Sequence, residues 1–128
     1  MLRNPPDLAF SAVFDTVDIG LIVLDRDGCI VGWNDWIARV SGRPADDVLG
    51  EPFFEIFPEV RNTRLPRVIT ESFEAGSSSI LSHTLNELLP LQGEGGAPLL
   101  HSMIVRPVSS LHVQLSSLVG ATHPTSPP

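Results

Sequence analysis

Two histidines offer the first opening for chemistry. His83 and His101 fall in stretches of strand character, 77–87 and 99–105, separated by a connector rich in Pro and Gly. A hairpin centred near Gln92 would set them opposite each other, where cross-strand side chains on one face interact. Paired imidazoles can hold a metal or exchange a proton near neutral pH. A structural zinc site needs more ligands, and no Cys or carboxylate is placed to complete it. The plain reading is a half-exposed pair on a sheet. The one cysteine, Cys29, lies on a predicted strand without a basic neighbourhood, so a packed small apolar residue is expected rather than an activated thiolate. Ser, His and Asp are all present, but no G-x-S-x-G elbow organises them. Gly93-Glu94-Gly95-Gly96 precedes neither Lys-Ser/Thr nor a helix, so it does not cradle phosphate. Arg61, Arg64 and Arg67 recur every third residue and read as a solvated basic face. The acids fall in turns and helix starts, where capping and the helix dipole account for them. The residues name no catalytic group and no metal site.

Composition narrows the class. The 128 residues suit one domain with a modest core, and the 42% hydrophobic content opposes global disorder. The net charge of −7 disfavours nucleic acid as a partner. All eight basic residues are Arg. No apolar run approaches the ~20 residues of a membrane helix. The first residues, Met1 to Pro6, lack the apolar core of a signal peptide. A single cysteine cannot form an internal disulfide, which agrees with a reducing compartment. The expected location is the cytoplasm, with no membrane contact.

The elements that must position any site follow from local signals. Asn4-Pro5-Pro6-Asp7 starts a helix, and Leu8, Phe10, Val13, Phe14 and Val17 line one side of it. Residues 20–24 are a continuous apolar run suited to a buried strand. Asp25-Arg26-Asp27-Gly28 is a turn, and 29–33 resumes as the partner strand. Asn34 is placed to cap a helix carrying Trp36, Ile37 and Val40, which Gly42 and Pro44 end. Phe53, Phe54, Ile56 and Phe57 cluster between Pro52 and Pro58 in short helical turns. A helix is expected over 62–75, with Leu65, Val68, Ile69 and Phe73 inward and Gly76 as its stop. Residues 88–98 read as a flexible connector, and 111–118 as a last strand. The end, 120–128, is low in complexity and expected to be disordered.

The ordered set Asp25, Asp27, Gly28, Asn34, Ser41-Gly42, Asp46-Asp47 and Leu49-Gly50 resembles the N-terminal half of a PAS domain. The resemblance extends more faintly to about residue 107. It implies an α+β fold: a five-stranded antiparallel sheet with helices on one face, over 19–119, behind an N-terminal flanking helix at 1–18. It also implies a sensory or dimerisation module rather than an enzyme. Its partners would be a second copy, through the flanking helix, and an attached or associated output domain of histidine kinase or diguanylate cyclase type. Cavity residues under this resemblance are Trp33, Phe54, Ile69, Phe73, Leu81 and Met103. The photoactive flavin-binding branch carries a Cys on the first core helix; the stretch here is Gly42-Arg43-Pro44-Ala45-Asp46-Asp47, which disfavours flavin. The haem-binding branch uses a His on the long helix, and 62–75 has none, which disfavours haem. The closing strand also departs from the family, with Ser116-Ser117-Leu118-Val119 in place of an Asp-Val/Ile-Thr ending. Two other readings stay open at this point: an interaction domain without a ligand, and a small enzyme with a cleft near His83 and His101.

Overall fold

The computed structural model describes residues 19–82, 89–92, 99 and 101–119. The flanking helix predicted over 1–18, His83 and the tail at 120–128 lie outside the described residues. Strand β1 (Gly20–Asp25) and strand β2 (Ile30–Trp33) form the opening hairpin. Three short helices follow: α1 (Asp35–Ser41), α2 (Ala45–Val48) and α3 (Phe53–Ile56). A 3-10 turn at Pro58–Val60 leads to the longest helix, α4 (Leu65–Ala75). Strands β3 (Ser79–Leu81), β4 (His101–Pro107) and β5 (His112–Val119) complete the chain. All pairings are antiparallel, in the order β2-β1-β5-β4-β3.

The turn between β1 and β2 is built by its own side chains. Asp25 Oδ1 accepts from the backbone N–H of Asp27 and of Cys29, both at 3.0 Å. Gly28 supplies the left-handed residue, φ 82°, that lets three residues close the loop. The far edge of β2 is not left bare. Gly50 donates to the Ile30 carbonyl at 2.7 Å, Ile30 donates to Glu51 at 2.9 Å, and Phe53 donates to Gly28 at 2.9 Å. The α2–α3 connection thus runs alongside the start of β2 and satisfies the outward groups of Ile30 and the Gly28 carbonyl.

Period-two alternation puts one face of the sheet against the helices. Leu81, Met103, Ser117 and Gly20 form one cross-strand row on that inner face. Val105, Leu115, Ile22 and Trp33 form the next. Helix α4 packs over β4 and β5, burying Leu65, Val68, Ile69 and Ser72 at helical spacing. The outer face carries the half-buried Leu21, Val23, Ile104 and Leu118 and the exposed Ile80.

Three sequence expectations change. Helix α4 begins at Leu65, not at residue 62, because the Thr63 hydroxyl takes the Leu65 N–H at 3.1 Å and donates to the Val60 carbonyl at 2.7 Å. The preceding residues are spent on a separate turn. Strand β4 starts at His101 rather than at residue 99, where the Leu99 N–H bonds to the Leu91 carbonyl instead. The 88–98 connector is anchored where it is described: Leu89 and Leu91 are in the core, and the Gln92 N–H bonds to the Val40 carbonyl at 2.9 Å. Proline and glycine around them hid two leucines that had apolar surface to bury.

Candidate functional site

The junction at Asn34 locks the sheet to the first helix. Its side-chain oxygen accepts from the Ile37 N–H at 3.2 Å, capping α1, and from the Leu21 N–H at 3.1 Å. Its side-chain nitrogen donates to the Ile19 carbonyl at 2.8 Å. One fully buried amide therefore serves β1, its lead-in and α1 together. At the other end of α1, Gly42 adopts φ 74° and returns its N–H to the Ala38 carbonyl.

The space between the inner sheet face and the helices is lined mainly by apolar side chains. Phe53 and Phe57 have ring centroids 5.3 Å apart, Phe53 and Phe54 5.0 Å, and Trp33 and Phe57 6.0 Å, within the range of favourable ring contact. The Trp33 indole N–H donates to the Arg43 carbonyl at 2.9 Å, which satisfies its one polar atom. The Arg43 guanidinium lies 5.6 Å from the Phe57 ring centroid and covers that end of the cluster.

The six cavity candidates distribute as follows. Met103 and Leu81 are neighbours in one inner-face row, and Trp33 is in the adjacent row. Ile69 is on the sheet-facing stripe of α4. Phe54 and Phe73 are only partly buried and flank the core rather than sit at its centre. Phe73 instead supports the Arg26 guanidinium, 5.1 Å from its ring centroid, while Arg26 also donates to the Ser110 carbonyl at 2.8 Å. That pair ties the β1–β2 turn, α4 and the β4–β5 loop into one end of the domain. Sequence reasoning missed Ser72 and Ser117, two buried hydroxyls on facing elements; their signal was a polar residue at a position the alternation or the helical stripe assigns to the core.

His83, the other half of the expected histidine pair, lies outside the described residues. Leu81 pairs with Met103, so the β3–β4 register is centred on residue 92 as expected. His101 is buried, with Nδ1 3.2 Å from the Leu99 carbonyl. Among the described residues no three His, Cys, Asp or Glu side chains gather as metal ligands. Burial first, then the carboxylates of Asp25, Asp27, Glu51 and Glu55, push the Cys29 thiol up from its ordinary value, which opposes thiolate formation.

The family model described as the PAS fold matches residues 8–85. The chain belongs to the PAS family. Solved PAS-type structures share its fold. A sensory box sensor histidine kinase from Vibrio cholerae superposes with a TM-score of 0.67 at 23% identity, over 92% of this chain and 94% of that one. The Cronobacter turicensis RpfR quorum-sensing receptor PAS domain in complex with BDSF gives 0.63 at 20% identity, over 82% and 96%. The photoactive yellow protein domain of the sensor histidine kinase Ppr from Rhodospirillum centenum gives 0.65 at 19% identity, over 91% and 98%. No curated protein matches the sequence. In this PAS domain the segment shared with the family model runs from residue 8 through β3, and β4 and β5 complete the sheet beyond it. No helix among the described residues is long and apolar enough to cross a membrane.

Proposed function

We propose that this PAS domain is a cytoplasmic sensor that takes a small apolar or amphipathic ligand between the sheet and α4 and relays its presence to an output domain. The observation that carries the reading is Met103. It is a flexible, polarisable side chain buried on the inner face, in the row beside Leu81 and below α4, and an unbranched chain there can change rotamer without moving the backbone. Ile69, Leu81, Met103 and Trp33 would line the ligand; Phe54 and Phe73 would border it. Support also comes from the Cronobacter receptor domain, which is a PAS domain in complex with BDSF in one structure and with C12:0 in another.

The relay would be a population shift. A ligand that favours one packing of α4 on β4 and β5 biases that packing by its differential affinity and by no more. Strand β5 lies centrally, between β1 and β4, so a shift at α4 reaches the elements at both ends of the chain. The output would be a histidine kinase or diguanylate cyclase, attached or associated. The amphipathic segment at 1–18 would pair two copies, for which Leu21, Val23, Ile104 and Leu118 on the outer sheet face offer apolar contact. The role is binding and relay without catalysis, and neither flavin nor haem is required by any residue here.

Native mass spectrometry of protein purified from cells tests this. A retained small molecule that is lost on denaturation, and that the Ile69→Trp variant no longer carries while remaining folded, is the expected result. A bare polypeptide, with no ligand acquired from a lipid or metabolite extract, refutes ligand sensing. The tightly packed interior, with Met103 and Leu81 fully buried, favours a second reading in that event: a dimerisation domain without ligand.

A further inference from the structure

The inner face holds two buried serine hydroxyls that the fold does not use. The Ser117 hydroxyl is buried on β5, on the same face as Val113 and Leu115, and has no hydrogen-bond partner among the described residues. The Ser72 hydroxyl is buried on the sheet-facing stripe of α4, in line with Leu65, Val68 and Ile69, and is likewise without a partner. Helix α4 packs on β4 and β5, so Ser72 and Ser117 lie on facing surfaces of the same layer. Burying an unpaired hydroxyl is unfavourable, and such groups in folded proteins call for an explanation. A serine at either position is therefore costly as core filler, where alanine would serve better.

The surroundings of Ser117 define what could meet it. On one side its cross-strand neighbour is Gly20, over which α1 closes so tightly that an added Cβ would lie 3.1 Å from the Ile37 and Trp36 side chains. On the other side is Met103, unbranched and able to swing. Room can thus open toward Met103 and α4, the side that carries Ser72. The charge of the layer matters as much. The buried polar side chains among the described residues are Asn34, Ser72, His101, Ser116 and Ser117, so no Arg, Lys, Asp or Glu is buried there. Asn34 is occupied by the strand and cap bonds, Ser116 lies on the opposite face of β5 and takes the Gln114 side-chain N–H, and His101 places its Nδ1 at the Leu99 carbonyl. The His101 imidazole is the one titratable side chain buried among the described residues, and with no buried Arg or Lys an ionised head group would enter this layer at a desolvation cost that hydroxyls do not recover.

Resting on the ligand reading above, we propose that the ligand of this domain is a hydrocarbon body with a neutral oxygen head, an alcohol, ketone or ester, and that the Ser117 and Ser72 hydroxyls read that head. Each hydroxyl can donate to a carbonyl or ether oxygen or accept from an alcohol. The apolar body lies against Met103, Leu81 and Ile69.

Titration calorimetry of the full chain with a straight-chain alcohol, the matching methyl ketone, the matching carboxylate and the matching alkane tests the assignment. The wild type is expected to bind the alcohol or ketone about ten-fold tighter than the alkane or carboxylate. Ser117→Ala and Ser72→Ala should each lose roughly three- to ten-fold for the neutral polar probe and nothing for the alkane. The ligand-free variants should melt at or above the wild-type temperature, because an unpartnered buried hydroxyl has been removed. A lower melting temperature would mean the hydroxyl is already used inside the protein and overturns the assignment. Equal affinity for all four probes, preference for the carboxylate, or equal losses for alkane and alcohol also overturn it while leaving ligand sensing intact. Binding of no probe, together with a bare mass spectrum, removes the ligand reading itself and this assignment with it.

Discussion

Removing the Asn34 side chain should weaken this domain more than any other single polar change. Asn34→Ala deletes three hydrogen bonds at once: Oδ1 to the Leu21 and Ile37 N–H groups at 3.1 and 3.2 Å, and Nδ2 to the Ile19 carbonyl at 2.8 Å. Loss of a helix cap alone costs about 1 kcal/mol. Each of the two strand ties adds about 1 kcal/mol, more if the stranded group stays away from water. The sum is about 3 kcal/mol, a large part of the ~5–15 kcal/mol that holds a domain together. Asn34→Ser separates the contributions. Serine still caps Ile37 but is too short to serve Leu21 and Ile19, so it should recover about 1 kcal/mol of the loss. Urea unfolding followed by tryptophan fluorescence reads this directly, since Trp33 and Trp36 are both buried beside the junction. With a urea slope of about 1–3 kcal/mol/M, the alanine midpoint should fall by about 1–3 M. A serine variant as stable as wild type would show that the strand ties contribute nothing. An alanine variant within about 0.5 kcal/mol of wild type would refute the whole account of the junction.

Three further outcomes follow from the same geometry. Gly42→Ala should cost about 1 kcal/mol although a Cβ there meets nothing within 4 Å, because φ is 74°; an unchanged urea midpoint would contradict this. Gly20→Ala should cost about 1–3 kcal/mol for the opposite reason, a Cβ forced to 3.1 Å from Trp36 and Ile37, and should shift the near-ultraviolet signal of Trp36. Cys29 should be alkylated by iodoacetamide more slowly than an unhindered thiol at neutral pH. Its raised thiol leaves less thiolate, so the rate should climb only at more alkaline pH, and Glu51→Gln should speed it at low salt; a rate matching free cysteine would refute the proposed suppression.

What was legible in the sequence was local. The Asp25–Gly28 turn, the Asn34 cap and the glycine stops at 42 and 76 are each fixed by a few adjacent residues, and each is found in place. The β3–β4 register was also readable, because a hairpin centre sets every pair around it. Long-range pairing was not readable from spacing. Nothing in the alternation of β1 says that β5, rather than β4, lies beside it; only the family resemblance implied such a sheet. The start of α4 was misplaced because Thr63 competes through its hydroxyl for the same backbone groups. Of the candidate site, the apolar lining was legible as buried positions, but the two core serines were passed over because serine reads as surface in an isolated strand.

The chain laid along β2 has a consequence for how copies of this domain can meet. Among the described residues, β3 has a strand neighbour only on the β4 side. Pairing through an added strand is therefore easier at β3 than at the start of β2, where an incoming chain would first have to strip Gly50 through Phe53 from Gly28 and Ile30.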